Sequence, residues 1–181
     1  MINLTNKKIQ QILTFFFLNP KKSLYLKQLS DQLDLDKGNL SRYLNSLVNN
    51  GLLSSKEEGR QKYFSLNYHY PVLAELKKMI AINAGPEILL KEMLSKKNNL
   101  KKAYIFGSYA SGKFNDKSDL DLMLIGDHDP IDIRREIIKL QKQFGREINT
   151  IDYTEAEYNR KIKEKDGFLK KVLSEPKIIL K

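Results

Sequence analysis

The chain has 181 residues, with 32 Lys and Arg against 22 Asp and Glu, so its formal net charge is +10 at neutral pH. No apolar run approaches the ~20 residues that cross a bilayer, and the start MINLTNKKIQQ lacks the apolar core and cleavage site of a signal peptide. Cysteine is absent, which excludes disulfides and thiolate metal sites. We therefore expect a cytoplasmic protein without a membrane partner. The charge favours a polyanionic partner such as DNA or a nucleotide, although a lysine-rich composition explains it equally well.

The N-terminal part of the sequence predicts three helices followed by a β-hairpin. Apolar residues recur at a helical spacing in 7–18, in 24–36 and in 37–50. Two strand-like runs follow at 52–56 and 62–66, and a glycine between them can take a positive φ. This order resembles the winged helix-turn-helix plan of small prokaryotic transcriptional regulators. In such proteins the third helix enters the DNA major groove and the hairpin, or wing, touches the backbone or minor groove.

Polar side chains lie off the apolar face of the third helix, and the wing adds two basic ones. The residues that the resemblance assigns to DNA contact are Lys37, Asn39, Ser41, Arg42 and Asn45 on the helix and Arg60 and Lys62 on the wing. The alternative is a solvated helix face on a domain that makes protein contacts. Asp31, Asp34 and Asp36 lie near the preceding turn and weaken the basic patch. We expect modest DNA affinity per monomer, raised by dimerisation.

A further helix is predicted in the segment PVLAELKKMIAI, with Leu73, Leu76, Met79 and Ile80 on one side. It either packs against its own domain or pairs with its copy in a homodimer, and the sequence does not choose between the two. Gly85 breaks this helix, and Pro86 takes the favoured first position of the next one. The predicted organisation is a winged helix DNA-binding domain at 1–70, a linker helix at 71–85 and a second domain at 86–181.

The second domain alternates strands and helices. Strands are predicted at AYIF, DLDLMLI and REINTIDY, with KIIL as a candidate sheet edge. An amphipathic helix is predicted from PIDIRREIIKLQKQF, and Thr154 with Glu157 forms the capping box of another. The pattern predicts a small mixed β-sheet with helices, so the whole chain is expected to be α+β with two domains.

Two carboxylates open the strand DLDLMLI. In a strand, Asp119 and Asp121 point to the same face, where they repel each other unless a cation lies between them. Carboxylate oxygens suit Mg²⁺. Gly107 and Ser108 follow the preceding strand, where glycine lets the backbone approach a phosphate and the N–H groups and hydroxyl can hold its oxygens. A surface strand with two solvated aspartates is the alternative, and the apolar residues around the pair disfavour it.

The run GSYASGKFNDKSDLDLMLI resembles the Gly-Ser…Asp-x-Asp signature of the polymerase-beta-like nucleotidyltransferase superfamily, and most resembles its minimal branch. The resemblance covers about residues 86–153. It implies that Asp119 and Asp121 bind Mg²⁺ and that Gly107 and Ser108 bind the triphosphate of an NTP. The implied reaction transfers a nucleoside monophosphate to an acceptor hydroxyl, with the ions assisting the attacking and leaving oxygens.

The sequence departs from this signature at two positions. Ser111 stands where the family has Arg, so Lys113 or Lys117 is the candidate to supply positive charge to the triphosphate. Asn149 stands where the family has a third carboxylate, so Asp152 is the candidate for the third catalytic carboxylate. Strand alternation puts Asp152 on the opposite face from Asn149 unless a bulge intervenes.

The whole chain resembles a prokaryotic architecture in which a winged helix is fused to a minimal nucleotidyltransferase. We therefore predict a DNA-binding protein that transfers a nucleoside monophosphate to an acceptor hydroxyl not identified by the sequence. One alternative is a catalytically weak, nucleotide-responsive transcriptional regulator. Another is an antitoxin that represses its own operon and pairs with a small helical toxin. The basic stretch 161–171 either faces a nucleic acid or is a solvated helix face.

Overall fold

The structure, a computed structural model, describes residues 3–181. Met1 and Ile2, which belong to the N-terminal stretch where no signal peptide is expected, lie outside the described residues. The chain divides into two compact units, one of residues up to Pro86 with Lys142–Gly145, the other of Glu87–Gln141 with Arg146–Lys181. The expected α+β class is confirmed, and the domain boundaries at 70 and 85 stay predictions. Across the part of the chain that is described, no helix has the length and apolar character to cross a membrane.

The first unit contains a helical array and a small antiparallel sheet. Its elements are α1 (Lys7–Leu18), β1 (Leu24–Tyr25), α2 (Leu26–Leu33), α3 (Lys37–Asn49), β2 (Leu53–Glu58), β3 (Gln61–Leu66) and α4 (Leu73–Ala84). The strands lie in the order β1-β3-β2. The three predicted helices and the hairpin are present. The two-residue strand β1, which the sequence did not predict, pairs with β3.

The core of this unit decides where α4 packs. Ile12 and Phe16 of α1 are fully buried, and Leu76 and Ile80 of α4 lie in the same apolar cluster. The structure therefore packs α4 against its own unit. Met79, which was expected on the packing side, is 39% exposed, because the buried stripe advances by four residues and leaves Met79 at its edge.

The remaining elements build the second sheet and its helices. They are α5 (Pro86–Ser95), β4 (Leu100–Phe106), α6 (Gly107–Ala110), β5 (Leu120–Gly126), α7 (Pro130–Phe144), β6 (Ile148–Tyr153), α8 (Glu155–Lys163), α9 (Gly167–Ser174) and β7 (Ile178–Ile179). The strand order is β6-β5-β4-β7, with β5 and β6 parallel and the other pairs antiparallel. The capping box at Thr154 is formed. The single turn α6 lies in a segment that was expected to be a loop.

Strand β5 is buried on both faces of the sheet. The alternation of its side chains shows which helices pack on which face. Met123 and Ile125 pack against Tyr158 of α8 and against Leu169 and Val172 of α9. Side chains two residues apart in a strand share a face, so Asp121 faces the same side as Met123. The helices α8 and α9 thus cover the sheet face at whose end Asp121 lies.

Candidate functional site

The turn after β4 and the second aspartate of β5 lie in direct contact. Phe106, the last residue of β4, pairs in register with Asp121. Gly107 follows with φ +72°, and a Cβ at this position would come within 2.4 Å of Asp121 Oδ2. Glycine is therefore favoured at this position, both by the left-handed backbone conformation and by the close approach of the carboxylate. The structure brings the Gly-Ser turn and Asp121 together.

The electrostatics of Asp121 come from three sources. Partial burial raises the pKa of Asp121 above its ordinary value, the hydrogen bond from the Asn149 side chain lowers it, and the negative charge of Asp119 raises it. Asn149 is the register partner of Asp121 on the parallel strand β6. The fold thus holds two interacting carboxylates at one end of β5, an arrangement that a bound cation would stabilise.

The donor set at this strand end contains only oxygen ligands. Asp119 and Asp121 offer carboxylates, and Asn149 offers an amide oxygen, which together suit a hard cation. Within residues 3–181 no group of three or more His, Cys, Asp or Glu side chains is placed to hold a metal by itself. Mg²⁺ commonly binds through one or two carboxylates together with substrate phosphates. The residues therefore fit a magnesium ion that arrives with a nucleotide.

The other residues expected to bind the nucleotide lie in the turn that begins at Gly107. The backbone N–H of Lys113 donates to the Ser108 carbonyl oxygen at 2.9 Å. The Ser111 hydroxyl donates to the same oxygen at 3.3 Å. Lys113 is exposed, so its ammonium group is available to an anion at the end of this turn.

Arg146, which the sequence did not single out, supplies a further positive charge beside Asp119. Its Nη1 donates to the carbonyl oxygens of Asp116 and, at 3.4 Å, of Ser118, and its guanidinium lies 5.2 Å from the centre of the Phe114 ring. Burial lowers the pKa of Arg146, while the charges of Asp116 and Asp119 raise it. Arg146 therefore ties the loop that precedes Asp119 to the segment that precedes β6.

Asp152 lies away from this group. The parallel register of β5 and β6 runs continuously, pairing Asn149 with Asp121 and Asp152 with Leu124. Asp152 is therefore on the opposite face of the sheet from Asn149, as strand alternation requires in a register without a bulge. Its Oδ1 lies 2.9 Å from Nε2 of His128, a residue for which no role was predicted. The structure does not bring Asp152 to Asp119 and Asp121.

The side chains expected to contact DNA are displayed by α3 and the hairpin. Lys37, Asn39, Arg42, Asn45, Arg60 and Lys62 are exposed, and Ser41 is half-buried. Lys62 Nζ on the hairpin donates to Asn45 Oδ1 on the helix at 3.1 Å. Arg42 also donates to Asn39. Helix and hairpin therefore present polar side chains on one continuous surface.

Sequence comparison identifies the class to which this site belongs. Residues 89–181 match the family described as Polymerase beta, Nucleotidyltransferase, and the chain belongs to this family. Residues 12–57 match the IclR helix-turn-helix domain. The protein thus joins a helix-turn-helix domain to a nucleotidyltransferase domain.

Relatives and solved structures match parts of the chain. A protein of Methanocaldococcus jannaschii named "Putative protein adenylyltransferase MJ0604" is 34% identical over 83 residues, which is 46% of this chain and 81% of that protein. A structure described as a toxin-antitoxin with AMP-PNP is 19% identical, with a TM-score of 0.39, covering 53% of this chain and 73% of that one. Reduced HlyU from Vibrio cholerae is 22% identical, with a TM-score of 0.37, covering 45% and 80%. The family membership rests on the sequence matches.

Proposed function

We propose that the protein transfers a nucleoside monophosphate from an NTP to a hydroxyl group of a protein acceptor. The observation that carries this proposal is the contact of Gly107 with the Asp121 carboxylate, on which the charge of Asp119 also acts. This arrangement supports the binding of a magnesium-bearing triphosphate at the turn. The name of the Methanocaldococcus jannaschii relative, a protein adenylyltransferase, supports ATP as the nucleotide and a protein as the acceptor.

The residues of the site divide the work of the proposed reaction. Asp119 and Asp121 would hold Mg²⁺, which neutralises triphosphate charge and polarises the acceptor hydroxyl. The backbone N–H groups at Gly107 and Ser108 and the Ser108 hydroxyl bind phosphate oxygens, and Lys113 adds positive charge. The acceptor oxygen bonds to the α-phosphorus while the bond from the α-phosphorus to the oxygen that bridges it to the β-phosphorus breaks. Pyrophosphate leaves, and the hydroxyl proton passes to solvent water.

Asn149 sets the expected speed of this reaction. A neutral amide cannot accept the proton of the acceptor hydroxyl, and it acts here by donating a hydrogen bond that orients Asp121. Loss of a general base commonly costs about a hundredfold or more in rate. We therefore propose slow turnover. The same site would also suit the alternative function of a nucleotide-responsive regulator, in which nucleotide binding matters more than catalysis.

The test uses the full-length protein, Mg²⁺ and ATP labelled at its α-phosphate, with a lysate of the source organism as a supply of acceptors. We expect Mg²⁺-dependent labelling of protein, with pyrophosphate released. The double variant Asp119→Asn with Asp121→Asn should lose both signals. ATP labelled at its γ-phosphate is the control, because it labels protein only in a kinase reaction. Equal labelling by the wild type and the double variant would contradict the proposal.

We further propose that the helix-turn-helix domain binds DNA, a function favoured by the contact between Lys62 and Asn45 that joins the wing to α3. DNA that carries the protein's own promoter should bind with steep salt dependence. Arg42→Ala should weaken this binding about tenfold, because Arg side chains supply strong base contacts. Lys77→Ala on α4, which is also exposed, is the control for a general loss of positive charge. Unchanged binding by Arg42→Ala would count against the assignment of α3 to the groove.

Two predicted partners stay predictions. The prediction of a small helical toxin partner is based on the resemblance of the whole chain to winged helix and nucleotidyltransferase fusions. Copurification of this protein with the product of an adjacent gene would test it. The homodimer is tested by the mass of the protein in solution. Packing of Leu76 and Ile80 within their own unit leaves the exposed side of α4, with Met79, for any such contact.

A further inference from the structure

A groove between α8 and α9 includes most of the basic stretch 161–171 and lies outside the residues assigned to nucleotide or DNA binding. Its volume is about 550 Å³. It is lined by Lys161, Ile162, Lys165, Asp166, Leu169, Lys170, Leu173 and Ser174. Its floor is thus aliphatic, and its charged residues are three lysines against one aspartate. An apolar floor with a basic border is suited to a ligand that is apolar on one side and acidic along its edges.

The lysines of this groove differ in how they are used within the protein. Lys161 Nζ lies 3.1 Å from Asp166 Oδ2 and 5.7 Å from the centre of the Tyr153 ring. Asp166 also caps the N-terminus of α9, because its side chain accepts a hydrogen bond from the Leu169 N–H at 2.9 Å. Lys165 and Lys170 are exposed, and neither takes part in the ion pairs found among residues 3–181. These two lysines therefore provide the positive charge that a ligand can meet.

The same helix connects the groove to the turn at Gly107. Phe168 of α9 packs edge-on against Phe106, with ring centres 6.0 Å apart. Phe106 immediately precedes Gly107 and pairs in register with Asp121. Phe168 is nevertheless 41% exposed. Phe168 itself does not line the groove, so α9 is the element that the groove and the turn share, with each contacting a different side of the helix.

We propose that this groove docks an acidic amphipathic helix of the acceptor protein and thereby presents the acceptor hydroxyl to the nucleotide. The role as an acceptor site rests on the proposed function, whereas the binding itself does not. An apolar helix face with anchors at helical spacing fits the floor formed by Ile162, Leu169 and Leu173. Acidic side chains at its edges meet Lys165 and Lys170. A single-stranded nucleic acid is less well matched, because such ligands stack on aromatic side chains and this floor is aliphatic.

The test measures binding of a fluorescent synthetic peptide of about four helical turns, with leucines at helical spacing and glutamates at the edges. Fluorescence anisotropy is recorded without nucleotide. Lys165→Glu with Lys170→Glu should weaken binding by about tenfold or more, because two attractive charge pairs become repulsive. Lys163→Glu with Lys171→Glu is the matched control, since it makes the same charge change at two exposed lysines of α8 and α9 that do not line the groove. The control should shift the affinity by less than about threefold, as expected of solvent-exposed charges that do not face the peptide.

Several outcomes would overturn the docking proposal. These are the absence of saturable peptide binding, equal binding of a peptide with the same composition in scrambled order, and equal weakening by both double variants. A fourth is loss of oligonucleotide binding in Lys165→Glu with Lys170→Glu alone, without peptide binding, which would assign the groove to nucleic acid. Circular dichroism of each variant verifies folding. Because the assay needs no turnover, peptide binding with no label transfer would contradict the proposed reaction and leave the docking site standing.

Discussion

An aspartate with a polar partner lies near each end of the parallel strands β5 and β6, and the two pairs differ in how the charge of the aspartate is balanced. Near the start of the strands, Asp121 meets the neutral amide of Asn149 and is repelled by the charge of Asp119. Near their end, Asp152 meets His128 at 2.9 Å, and the His128 side chain is only 3% exposed. A histidine ring N–H can donate a hydrogen bond to a carboxylate, so the Asp152 carboxylate has a partner within the protein. Asp119 and Asp121 instead repel each other, and a bound cation would relieve that repulsion. Whether a carboxylate indicates a binding site therefore depends on which groups the fold places beside it.

Substitution of Gly107 should have the largest effect on the site at the start of β5. In Gly107→Ala the new Cβ would come within 2.4 Å of Asp121 Oδ2, so the carboxylate must move. A displacement of about 1 Å at a reacting centre can cost about a hundredfold in rate. We expect a loss of nucleotidyl transfer of that size, measured as label incorporation into protein.

Gly112 provides the matched control for this substitution. It has the same φ of +72°, and a Cβ there would have no neighbour within 4 Å. Both alanine variants should lose about 1 kcal/mol of unfolding free energy from the left-handed backbone, but only Gly107→Ala should lose activity. A similar loss of activity in both would contradict a specific role for the contact with Asp121.

Asn149→Asp should sharpen the difference between the two strand ends by restoring a third carboxylate beside Asp121. With Mg²⁺ present, we expect transfer to rise about tenfold, because a carboxylate can accept the proton that the amide cannot. Thr150→Asp adds the same charge one residue later, where alternation turns it to the opposite face. That control should show no gain. A fall in the rate of Asn149→Asp would indicate that the hydrogen bond from the amide is worth more than an added base.

The sequence predicted what local patterns encode. The spacing of Asp119 and Asp121 and the turn at Gly107 are short-range features, and they led to the site directly. Arg146 was missed because its contacts are with backbone carbonyl groups some thirty residues earlier, and no motif marks such a partner. The single turn α6 is too short to show a helical period.

Long-range pairing accounts for the remaining differences between expectation and structure. Two residues suffice for β1 because β3 supplies its hydrogen-bonding partner, and a run of two cannot display alternation. Strand alternation predicted that Asp152 faces away from Asp119 and Asp121 unless β6 contains a bulge. The sequence does not show whether a bulge is present, and the continuous register of β5 with β6 excludes one there.

The smallest expected effects are on stability, and they have opposite signs at the two strand ends. Burial and the charge of Asp119 outweigh the Asn149 hydrogen bond and raise the pKa of Asp121 in the folded protein. The folded state therefore holds this proton more tightly than the unfolded state, so the stabilisation is present at low pH and is lost as the pH rises through the raised pKa. At neutral pH the ionised carboxylate opposes folding. Asp121→Asn should accordingly raise the unfolding free energy at neutral pH, by less than about 1 kcal/mol because the group is partly exposed.

Asp152→Asn should do the reverse, lowering the unfolding free energy by about 1 kcal/mol, since buried His128 loses a charged hydrogen-bond partner. Urea unfolding with a metal chelator measures both variants. The gain in Asp121→Asn should shrink as the pH falls towards about 3.9, the ordinary pKa of aspartate. Mg²⁺ with ATP should stabilise the wild type and Asp152→Asn but not Asp121→Asn, because a ligand stabilises only the state that binds it. If Asp121→Asn were less stable than the wild type at neutral pH, Asp121 would be a structural residue, and the contrast between the two strand ends would be lost.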